Sequence, residues 1–287
     1  MSTTPTTVSV IGGGRMGAGI AQVFATAGSA VTVAESHDPD AARTRVVDGL
    51  ARAHERGKLG GADPDEIAAR VSVVGSVDAI PSDSGLVIEA VPEKPELKVA
   101  VLTAAEKIVA DTTVIASNTS SLSIAGLGEA LGNPARFLGM HFFNPVPASS
   151  LVEIVRSTQT DTVTVDAVAS WVELLGKTAV IVNDAPGFAT SRLGVCLGLE
   201  AIRMVEEGVA SPADIDRAME LGYRHPMGPL RSTDLVGLDV RLAIAEHLAN
   251  ELGERFTPPQ LLRDKVSRGE LGRKTGHGFY DWTEGAS

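Results

Sequence analysis

A glycine-rich turn near the amino terminus places the strongest constraint on the fold of this chain. Residues 7–11 form a short apolar run of the β type, Gly12-Gly13-Gly14-Arg15-Met16-Gly17 follows, and residues 18–28 have helical apolar spacing. In a strand–turn–helix unit, Gly12 permits the tight turn, Gly14 lets a pyrophosphate approach the backbone, and Gly17 lets the helix pack closely. The first helical turn, which contains Met16, offers N–H groups to the anion. The pattern predicts a dinucleotide-binding site.

An acidic residue after the next apolar run supports that prediction. The run Ala30–Ala34 is typical of a strand and ends at Glu35, about 20 residues beyond the glycine turn, where a dinucleotide fold places the acid that binds the ribose hydroxyls. Such a carboxylate repels a 2′-phosphate, so we predict NAD rather than NADP. The alternative is an ordinary charge at a strand end. Arg43 and Arg45 lie a helix later and are expected to be too far away to neutralise Glu35.

A second feature joins a histidine to a carboxylate across a turn. The stretch Gly139–Glu153 reads GMHFFNPVPASSLVE, and Pro147 is its centre. If the flanking apolar runs pair as an antiparallel hairpin without a bulge, His141 and Glu153 face each other with Cβ atoms roughly 4.5–5.5 Å apart. The carboxylate then fixes the imidazole tautomer and raises its basicity for proton exchange with a substrate. The pair is a candidate general base with its orienting acid. A hydrogen-bonded core histidine is the alternative.

The order of periodic segments predicts two domains. Strands and helices alternate up to about residue 183, which favours a doubly wound α/β domain over residues 1–183. From residue 184 onward the apolar spacing is helical throughout, so we predict an all-helical domain over residues 184–287 and a ligand cleft between the two. The predicted helices of this second part are Phe188–Glu207, one opened by Ser211-Pro212, Ser232–Leu252, and Pro258–Ser267.

Composition excludes several classes of function. The 287 residues are 44% hydrophobic and carry a net charge of −11, and we find no basic stripe that would attract a nucleic acid. The single cysteine, Cys196, permits no internal disulfide or thiolate cluster, and the histidines have no metal-ligand spacing, so no metal is predicted. No apolar stretch approaches the length of a membrane span. The expected location is the cytoplasm.

Two further segments are candidates for ligand contacts. The hydroxyl-rich run Ser117–Ser121 follows a buried strand, where open α/β sheets bind ligands, although such residues also cap helices. The polar, helix-forming stretch from His37 to Gly57 carries several arginines and leads to Lys58. A run of this kind is usually a solvated helix face, and the alternative is that Lys58 receives a phosphorylated ligand.

Taken together, these segments resemble the 3-hydroxyacyl-CoA dehydrogenase family, and most closely its short bacterial 3-hydroxybutyryl-CoA branch. The resemblance covers nearly the whole chain, which implies a Rossmann-type, mainly parallel sheet followed by an all-helical carboxyl-terminal domain. The matching segments are IGGGRMGAGIA from Ile11, EAVPEKPELK from Glu89, SNTSSLSI from Ser117, GMHFFNPVP with LVE in Gly139–Glu153, DAPGF from Asp184, HPMGPL from His225, GLD from Gly237, and GRKTGHGFYDW from Gly272.

The resemblance also implies a role for each matching residue. His141 is then the general base, Glu153 orients it, and Ser120 donates to the 3-oxygen of a 3-hydroxyacyl thioester. The implied cofactor contacts are Glu93, Lys98, Asn144 and Lys274, in addition to Gly12, Gly14, Met16, Gly17 and Glu35. Lys58 is implied as a contact to the coenzyme A tail. The family's members are also expected to form homodimers through the helical domain.

This sequence departs from the family pattern on the presumed acyl side. Ser191, just before Arg192, stands where the family has a substrate-binding asparagine, and Ser149 and Ser232 replace apolar residues. These changes leave open a more polar hydroxyacyl group on an acyl carrier protein, or a free hydroxy acid as in gulonate dehydrogenases. A non-catalytic dinucleotide-binding protein, like the lens crystallin of this superfamily, is the alternative from another class.

Overall fold

A computed structural model describes residues 4–283 of the chain. It consists of two compact units, and the chain passes from the first to the second between Ala185 and Pro186. The sequence predicts this change of architecture at residues 183 and 184. Each unit has its own apolar core.

The first unit is built around a sheet that is parallel except for one hairpin. Among the described residues, its strand order is β3-β2-β1-β4-β5-β6-β7-β8, and β6 pairs with β7 antiparallel. The first six strands have the order expected of a doubly wound dinucleotide fold, so the fold-class prediction is confirmed. The strands are β1 (Thr7–Ile11), β2 (Ala30–Ala34), β3 (Val71–Val74), β4 (Leu86–Glu89), β5 (Val114–Ser117), β6 (Phe137–Phe142), β7 (Leu151–Arg156) and β8 (Thr178–Asn183).

Helices connect the parallel strands and cover the sheet. The central strands β1, β4, β5 and β6 are short apolar runs that are almost entirely buried, as expected for parallel strands with helices on their faces. Apolar side chains such as Phe24 and Leu138 fill the core beside the sheet. The helices are α1 (Arg15–Thr26), α2 (Pro39–Glu55), α3 (Pro64–Ala68), α4 (Pro95–Glu106), α5 (Ile124–Gly128) and α6 (Thr162–Leu174).

The second unit contains helices and no sheet strand in its described part, residues 186–283, where pairing is limited to isolated bridges at His277. Its helices are α7 (Thr190–Glu206), α8 (Pro212–Gly222), α9 (Pro229–Val236), α10 (Leu238–Leu252) and α11 (Gln260–Ser267). None of the described helices of the chain is long and apolar enough to cross a membrane.

One helix prediction is wrong. The stretch Ser232–Leu252 is divided into α9 and α10 at Gly237, whose φ of +104° lies outside the helical region. Only glycine adopts such a backbone conformation without strain, so the break is local and belongs to that residue. The predicted start of α7 at Phe188 is also too early, because Phe188 has a φ of +51° and the helix begins at Thr190.

Two buried carboxylates organise the second unit. Asp216 accepts hydrogen bonds from the N–H groups of Leu230 and Arg231 at the start of α9, at 2.8 Å each. Asp234 accepts from the N–H groups of Phe279 and Tyr280 at 2.9 Å each. The segments HPMGPL and GFYDW therefore have a structural role. The first leads into α9, which Asp216 holds, and the second is held by Asp234.

Candidate active site

The predicted site residues of the first unit gather at one edge of the sheet. Parallel strands carry their carboxyl ends to the same edge, where loops can present side chains to a ligand. The glycine turn follows β1, Glu35 follows β2, Glu93 follows β4, and Ser120 follows β5. His141 lies near the carboxyl end of β6, which pairs with β5 in parallel.

The histidine and the carboxylate of the hairpin face each other as the sequence predicts. His141 is the direct partner of Glu153 in the register of β6 and β7, and its Nδ1 lies 2.8 Å from Glu153 Oε2. Glu153 is fully buried and His141 is 7% exposed. A carboxylate hydrogen-bonded to Nδ1 holds the imidazole in the tautomer whose proton exchange occurs at Nε2.

A buried lysine secures the turn between these strands. The ammonium of Lys177, which precedes β8, donates to the carbonyl oxygens of Val146 at 2.7 Å and Ser149 at 2.5 Å. Burial lowers the pKa of Lys177. The turn also carries Asn144, whose side chain is exposed. Lys177 therefore positions the loop that presents Asn144 and that closes the His141–Glu153 hairpin.

Glu93 positions the loop that carries Ser120. Its Oε1 accepts from the hydroxyl of Thr119 at 2.5 Å and from the N–H of Ser120 at 2.9 Å. Burial raises the pKa of Glu93, but the charge of Lys98 and these hydrogen bonds outweigh it, so its pKa lies below the ordinary value. The carboxylate stays ionised and fixes the backbone on which the Ser120 hydroxyl is presented.

Lys98 lies beneath this loop and is fully buried. Its ammonium contacts Glu89 Oε1 at 2.7 Å, Glu93 Oε2 at 3.1 Å and the carbonyl oxygen of Val91 at 3.3 Å. An ammonium has three N–H donors, and these three acceptors can use all of them. Glu89 is also fully buried and accepts from the hydroxyl of Ser117 at 2.5 Å.

The glycine turn has the geometry that a bound pyrophosphate requires. Gly12 has a φ of +102°, and a Cβ there would lie 2.8 Å from the carbonyl oxygen of Ala90. A Cβ on Gly17 would overlap the carbonyl oxygen of Gly12, whereas one on Gly14 would meet no atom within 4 Å. Gly14 is the N-cap of α1 and provides no side-chain cap. The first turn of α1, including Met16, thus presents N–H groups beside an open approach.

Glu35 is held rigidly beside this turn. Its Oε2 accepts from the N–H of Gly13 and its Oε1 from the N–H of His37, both at 2.8 Å. Burial raises the pKa of Glu35, but the N–H groups of His37, Gly13 and Asp38 and the charge of Arg45 more than compensate and keep its pKa below the ordinary value.

The expectation that Arg45 is too far from Glu35 is wrong. Arg45 Nη1 donates to the carbonyl oxygen of Gly13 at 3.0 Å, and its charge acts on Glu35. The reason is packing: Ala42 lies so close to Gly13 that a Cβ on that glycine would overlap it. Arg45 follows Ala42 by three residues on the same face of α2 and therefore reaches the turn.

The remaining predicted residues are Lys58 in the first unit and Ser191 and Lys274 in the second. Lys58 is exposed beyond α2. Ser191 and Lys274 belong to the second unit, where Ser191 lies in the first turn of α7 and is partly buried. Lys274 Nζ contacts both carboxylate oxygens of Asp239 at 2.6 Å.

Family models match both units in order. Residues 7–185 match the model described as 3-hydroxyacyl-CoA dehydrogenase, NAD binding domain, and residues 187–282 match the model of the C-terminal domain of the same enzymes. The chain belongs to the 3-hydroxyacyl-CoA dehydrogenase family. The resemblance in the sequence is thereby confirmed, as are NAD as the cofactor and the dehydrogenase class.

Relatives of this family match over nearly the whole chain. A probable 3-hydroxybutyryl-CoA dehydrogenase of Deinococcus radiodurans is 43% identical over 95% of this chain and 99% of its own length. The 3-hydroxybutyryl-CoA dehydrogenase of Mycobacterium tuberculosis is 43% identical over 96% of this chain and 98% of its own length. The crystal structure of (S)-3-hydroxybutyryl-CoA dehydrogenase PaaH1 from Ralstonia eutropha superimposes with a TM-score of 0.91 at 40% identity, covering 98% of this chain and 100% of that one.

The residues at the glycine turn fit NAD. The open approach at Gly14 and the uncapped start of α1 suit a pyrophosphate. The Glu35 carboxylate has about four acceptor positions and accepts hydrogen bonds at 2.8 Å from the N–H groups of Gly13 and His37, which leaves capacity for ribose hydroxyls.

Sequence reasoning missed several residues that shape the site. Glu89, Lys177 and Arg45 all act through contacts with segments distant in sequence. Asp184 accepts from the Ser123 hydroxyl and the N–H of Ala125 at 2.8 Å each, so it anchors the start of α5 just beyond the Ser120 loop. The sequence does contain one signal for Glu89 that could have been used, namely a glutamate at the end of the otherwise apolar strand LVIE.

The buried network yields a prediction for Lys98. Replacement by methionine leaves the Glu89 carboxylate buried without its counter-charge, and breaking such a pair costs about 3–5 kcal/mol. We expect Lys98→Met to lower the midpoint of thermal unfolding strongly and to weaken NADH binding through the loop. The matched control is Lys94→Met, which removes an exposed charge one turn earlier and should change neither quantity appreciably.

A double variant tests whether Lys98 acts through its ion pair with Glu89. In Glu89→Gln/Lys98→Met both buried charges are absent, so stability and NADH affinity should recover in part. NADH affinity is measured by fluorescence titration and stability by circular dichroism. A double variant that regains stability but keeps the full NADH defect of Lys98→Met would mean that Lys98 acts on NADH binding through Glu93 or the dinucleotide and not through Glu89.

Proposed function

We propose that this protein is an NAD-dependent dehydrogenase that interconverts a short-chain 3-hydroxyacyl-CoA, such as 3-hydroxybutyryl-CoA, and the 3-oxoacyl-CoA. The observation that carries the proposal is the buried pair of His141 and Glu153, with Nδ1 and Oε2 2.8 Å apart, at the edge of a dinucleotide-binding sheet. The names of the relatives, which match over nearly their whole length, support the substrate class.

In the proposed reaction His141 removes the proton of the 3-hydroxyl group through Nε2. Glu153 stabilises the imidazolium that forms, because its buried carboxylate holds Nδ1–H. Ser120, positioned by Glu93, donates to the 3-oxygen as negative charge develops on it. The NAD that the glycine turn and Glu35 would hold would supply the acceptor for the hydride of carbon 3. In the reverse direction His141 returns the proton to the same oxygen.

This assignment predicts different effects on chemistry and on cofactor binding. His141→Asn removes the proton acceptor and should lower kcat with acetoacetyl-CoA and NADH by at least about 100-fold. Glu153→Gln removes the charge that stabilises the imidazolium and should lower kcat less than His141→Asn does. NADH affinity should stay nearly unchanged in both, because neither residue is proposed to hold the dinucleotide.

Steady-state kinetics and fluorescence titration of NADH check these two expectations. Full activity in Glu153→Gln would contradict its role as the orienting acid. Wild-type protein that binds NADH but does not turn over acetoacetyl-CoA would instead favour the non-catalytic, crystallin-like alternative or a different acyl group.

Ser191 is the residue that distinguishes an acyl site like that of the related enzymes from an altered one. We propose that it stands in place of the asparagine that donates to substrate in related enzymes, and serine is shorter by the whole amide group. For a short-chain acyl-CoA, Ser191→Asn should restore a donor and raise kcat/KM several-fold, since a good hydrogen bond contributes about 1 kcal/mol. The measurement is kcat/KM for acetoacetyl-CoA.

The alternative polar acyl group gives a different pattern. In that case Ser191 already binds the natural substrate, and the asparagine lowers activity on it while leaving acetoacetyl-CoA untouched or improved. A hydroxyacyl group on an acyl carrier protein and a free hydroxy acid are the substrates to compare. Loss of activity on acetoacetyl-CoA itself in Ser191→Asn would show that Ser191 is misassigned.

The proposal includes a homodimer formed through the second unit, working in the cytoplasm. Three large apolar side chains of this unit are more than two-thirds exposed, namely Leu193, Leu221 and Tyr223. We assign these side chains to the proposed association face. A chain with one cysteine in 287 residues needs no oxidising compartment for its stability.

Light scattering at micromolar concentration should give twice the monomer mass of 29.8 kDa. Leu193→Asp/Leu221→Asp introduces charges on the exposed apolar side chains and should shift the equilibrium toward monomer. Val163→Asp is the matched control, because Val163 is 80% exposed but lies in the first unit. A monomeric wild-type protein, or a control that dissociates as readily, would contradict the proposed interface.

A further inference from the structure

A buried arginine of the second unit has no counter-ion. Arg241 lies near the start of α10 and is 6% exposed. Within residues 4–283, no carboxylate pairs with its guanidinium, and its Nε has no hydrogen-bond partner. Burial lowers the pKa of Arg241 to about 10, so the side chain remains a cation at neutral pH. Buried charges in proteins are normally paired, so an unpaired one is evidence that the counter-charge comes with a ligand.

Two glycines bring this guanidinium against the backbone of α7. A Cβ on Gly198 would lie 3.6 Å from Arg241 Nε, and one on Gly194 would lie 3.5 Å from Arg241 Nη1. The guanidinium therefore extends along α7 from Gly198 towards Gly194, in the direction of the amino end of the helix. Beside it, the fully buried Thr233 has a hydroxyl group without a hydrogen-bond partner in the described part of the chain. That hydroxyl oxygen would lie 3.1 Å from the same Cβ on Gly198.

The guanidinium points towards the residue that distinguishes this chain on the presumed acyl side. Ser191, Gly194 and Gly198 follow one another at spacings of three and four residues, so they share one face of α7. Ser191 lies in the first turn of that helix, about 4.5 Å along the axis from Gly194. Nη1 of Arg241 and the Ser191 side chain are therefore about one helical turn apart on the same face. A serine is smaller than the family's asparagine, which leaves more room beside the guanidinium.

We propose that Arg241 binds a carboxylate at the far end of the acyl group, so that the substrate is the 3-hydroxyacyl-CoA of a dicarboxylic acid. This rests on the proposed function and on Ser191 as a residue of the acyl site. A chain of a few carbon atoms spans the helical turn between Ser191 and the guanidinium, which places the carboxylate two or three carbon atoms beyond carbon 3. Arginine offers a carboxylate several N–H donors in fixed geometry. An acyl group that ends in a methyl group would leave the cation uncompensated.

Two matched substrates test the proposal on the full chain. The acyl groups of 3-oxohexanoyl-CoA and 3-oxoadipyl-CoA have equal length and differ only at the end, which is a methyl group in the first and a carboxylate in the second. With NADH, the wild-type kcat/KM should be at least about tenfold higher for 3-oxoadipyl-CoA, because the contact to Arg241 is charge-assisted. A ratio of one or less would overturn the proposal.

Arg241→Met assigns this preference to the guanidinium. Methionine removes the charge and gives the site an apolar end, so kcat/KM should fall at least about tenfold for 3-oxoadipyl-CoA and rise for 3-oxohexanoyl-CoA. The matched control is Arg217→Met, which removes an exposed arginine of α8 and should keep the wild-type preference. Equal losses on the two substrates in Arg241→Met would mean that Arg241 only supports the fold, and would contradict the proposal.

Thermal stability gives a readout that does not depend on turnover. Without ligand, Arg241→Met should raise the midpoint of unfolding measured by circular dichroism, because a buried and uncompensated cation is removed. Added 3-oxoadipyl-CoA should raise the midpoint of the wild-type protein more than that of Arg241→Met. A midpoint that falls strongly in the variant without ligand would show that groups of the protein already compensate the charge, against the proposal.

The possible failures are distinguishable. If the wild-type protein reduces acetoacetyl-CoA or 3-oxohexanoyl-CoA but shows no preference for 3-oxoadipyl-CoA, the dehydrogenase assignment stands and the carboxylate site is wrong. If it binds NADH but reduces none of the three, the proposed function fails and the carboxylate site fails with it. If Arg241→Met shifts the mass in light scattering towards the monomer, the counter-charge belongs to a second copy of the chain, and the carboxylate site is again wrong.

Discussion

The arrangement of the sheet edge depends on the ionic contacts of one buried lysine of α4, which lies beside the carboxyl end of β4. Two carboxylates, Glu89 and Glu93, lie close together there, and the ammonium of Lys98 contacts both. Two neighbouring carboxylates repel each other and resist ionisation unless a cation compensates them. With Lys98 present, Glu93 remains charged and can accept from the loop of Ser120. The position of a proposed catalytic hydroxyl therefore depends on a charge that is itself completely buried.

The same principle recurs around this edge: groups proposed to meet a ligand are positioned by charges that lie behind them. Glu153 is buried behind His141, and Lys177 holds the turn that closes their hairpin. Glu35 is fixed by backbone N–H groups and by Arg45. A side chain held in this way loses little conformational freedom when a ligand binds, which is the general basis of preorganised sites.

The residues proposed for the chemistry lie in the first unit, whereas most of the polar replacements that distinguish this chain lie in the second. The hairpin pair, the glycine turn and the serine loop all belong to the first unit, which matches the NAD-binding model of the family. Two of the three polar replacements, Ser191 and Ser232, belong to the second unit, and Ser149 lies in the first. Enzymes that share a fold usually differ in substrate specificity through a few side chains of the site, since function depends on those side chains rather than on the fold.

The sequence by itself determined the features that depend on local periodicity and on special residues. The glycine turn, the alternation of strands and helices, and the register that pairs His141 with Glu153 follow from apolar spacing and from symmetry about Pro147. The resemblance to the family extended this to the fold class and the cofactor. Even the break between α9 and α10 has a local cause in Gly237, although helical spacing on both sides concealed it.

Only the tertiary structure decided which charges compensate one another. Arg45 reaches the glycine turn because Ala42 packs against Gly13, and Lys98 turns inward because Glu89 is buried at the end of β4. Asp184 anchors α5 across 59 residues of sequence. Hydrophobic periodicity is a property of neighbouring residues, whereas an ion pair depends on the three-dimensional approach of segments that are distant in sequence. The contact between His141 and Glu153 could therefore be predicted, but not the network of charges that holds its surroundings in place.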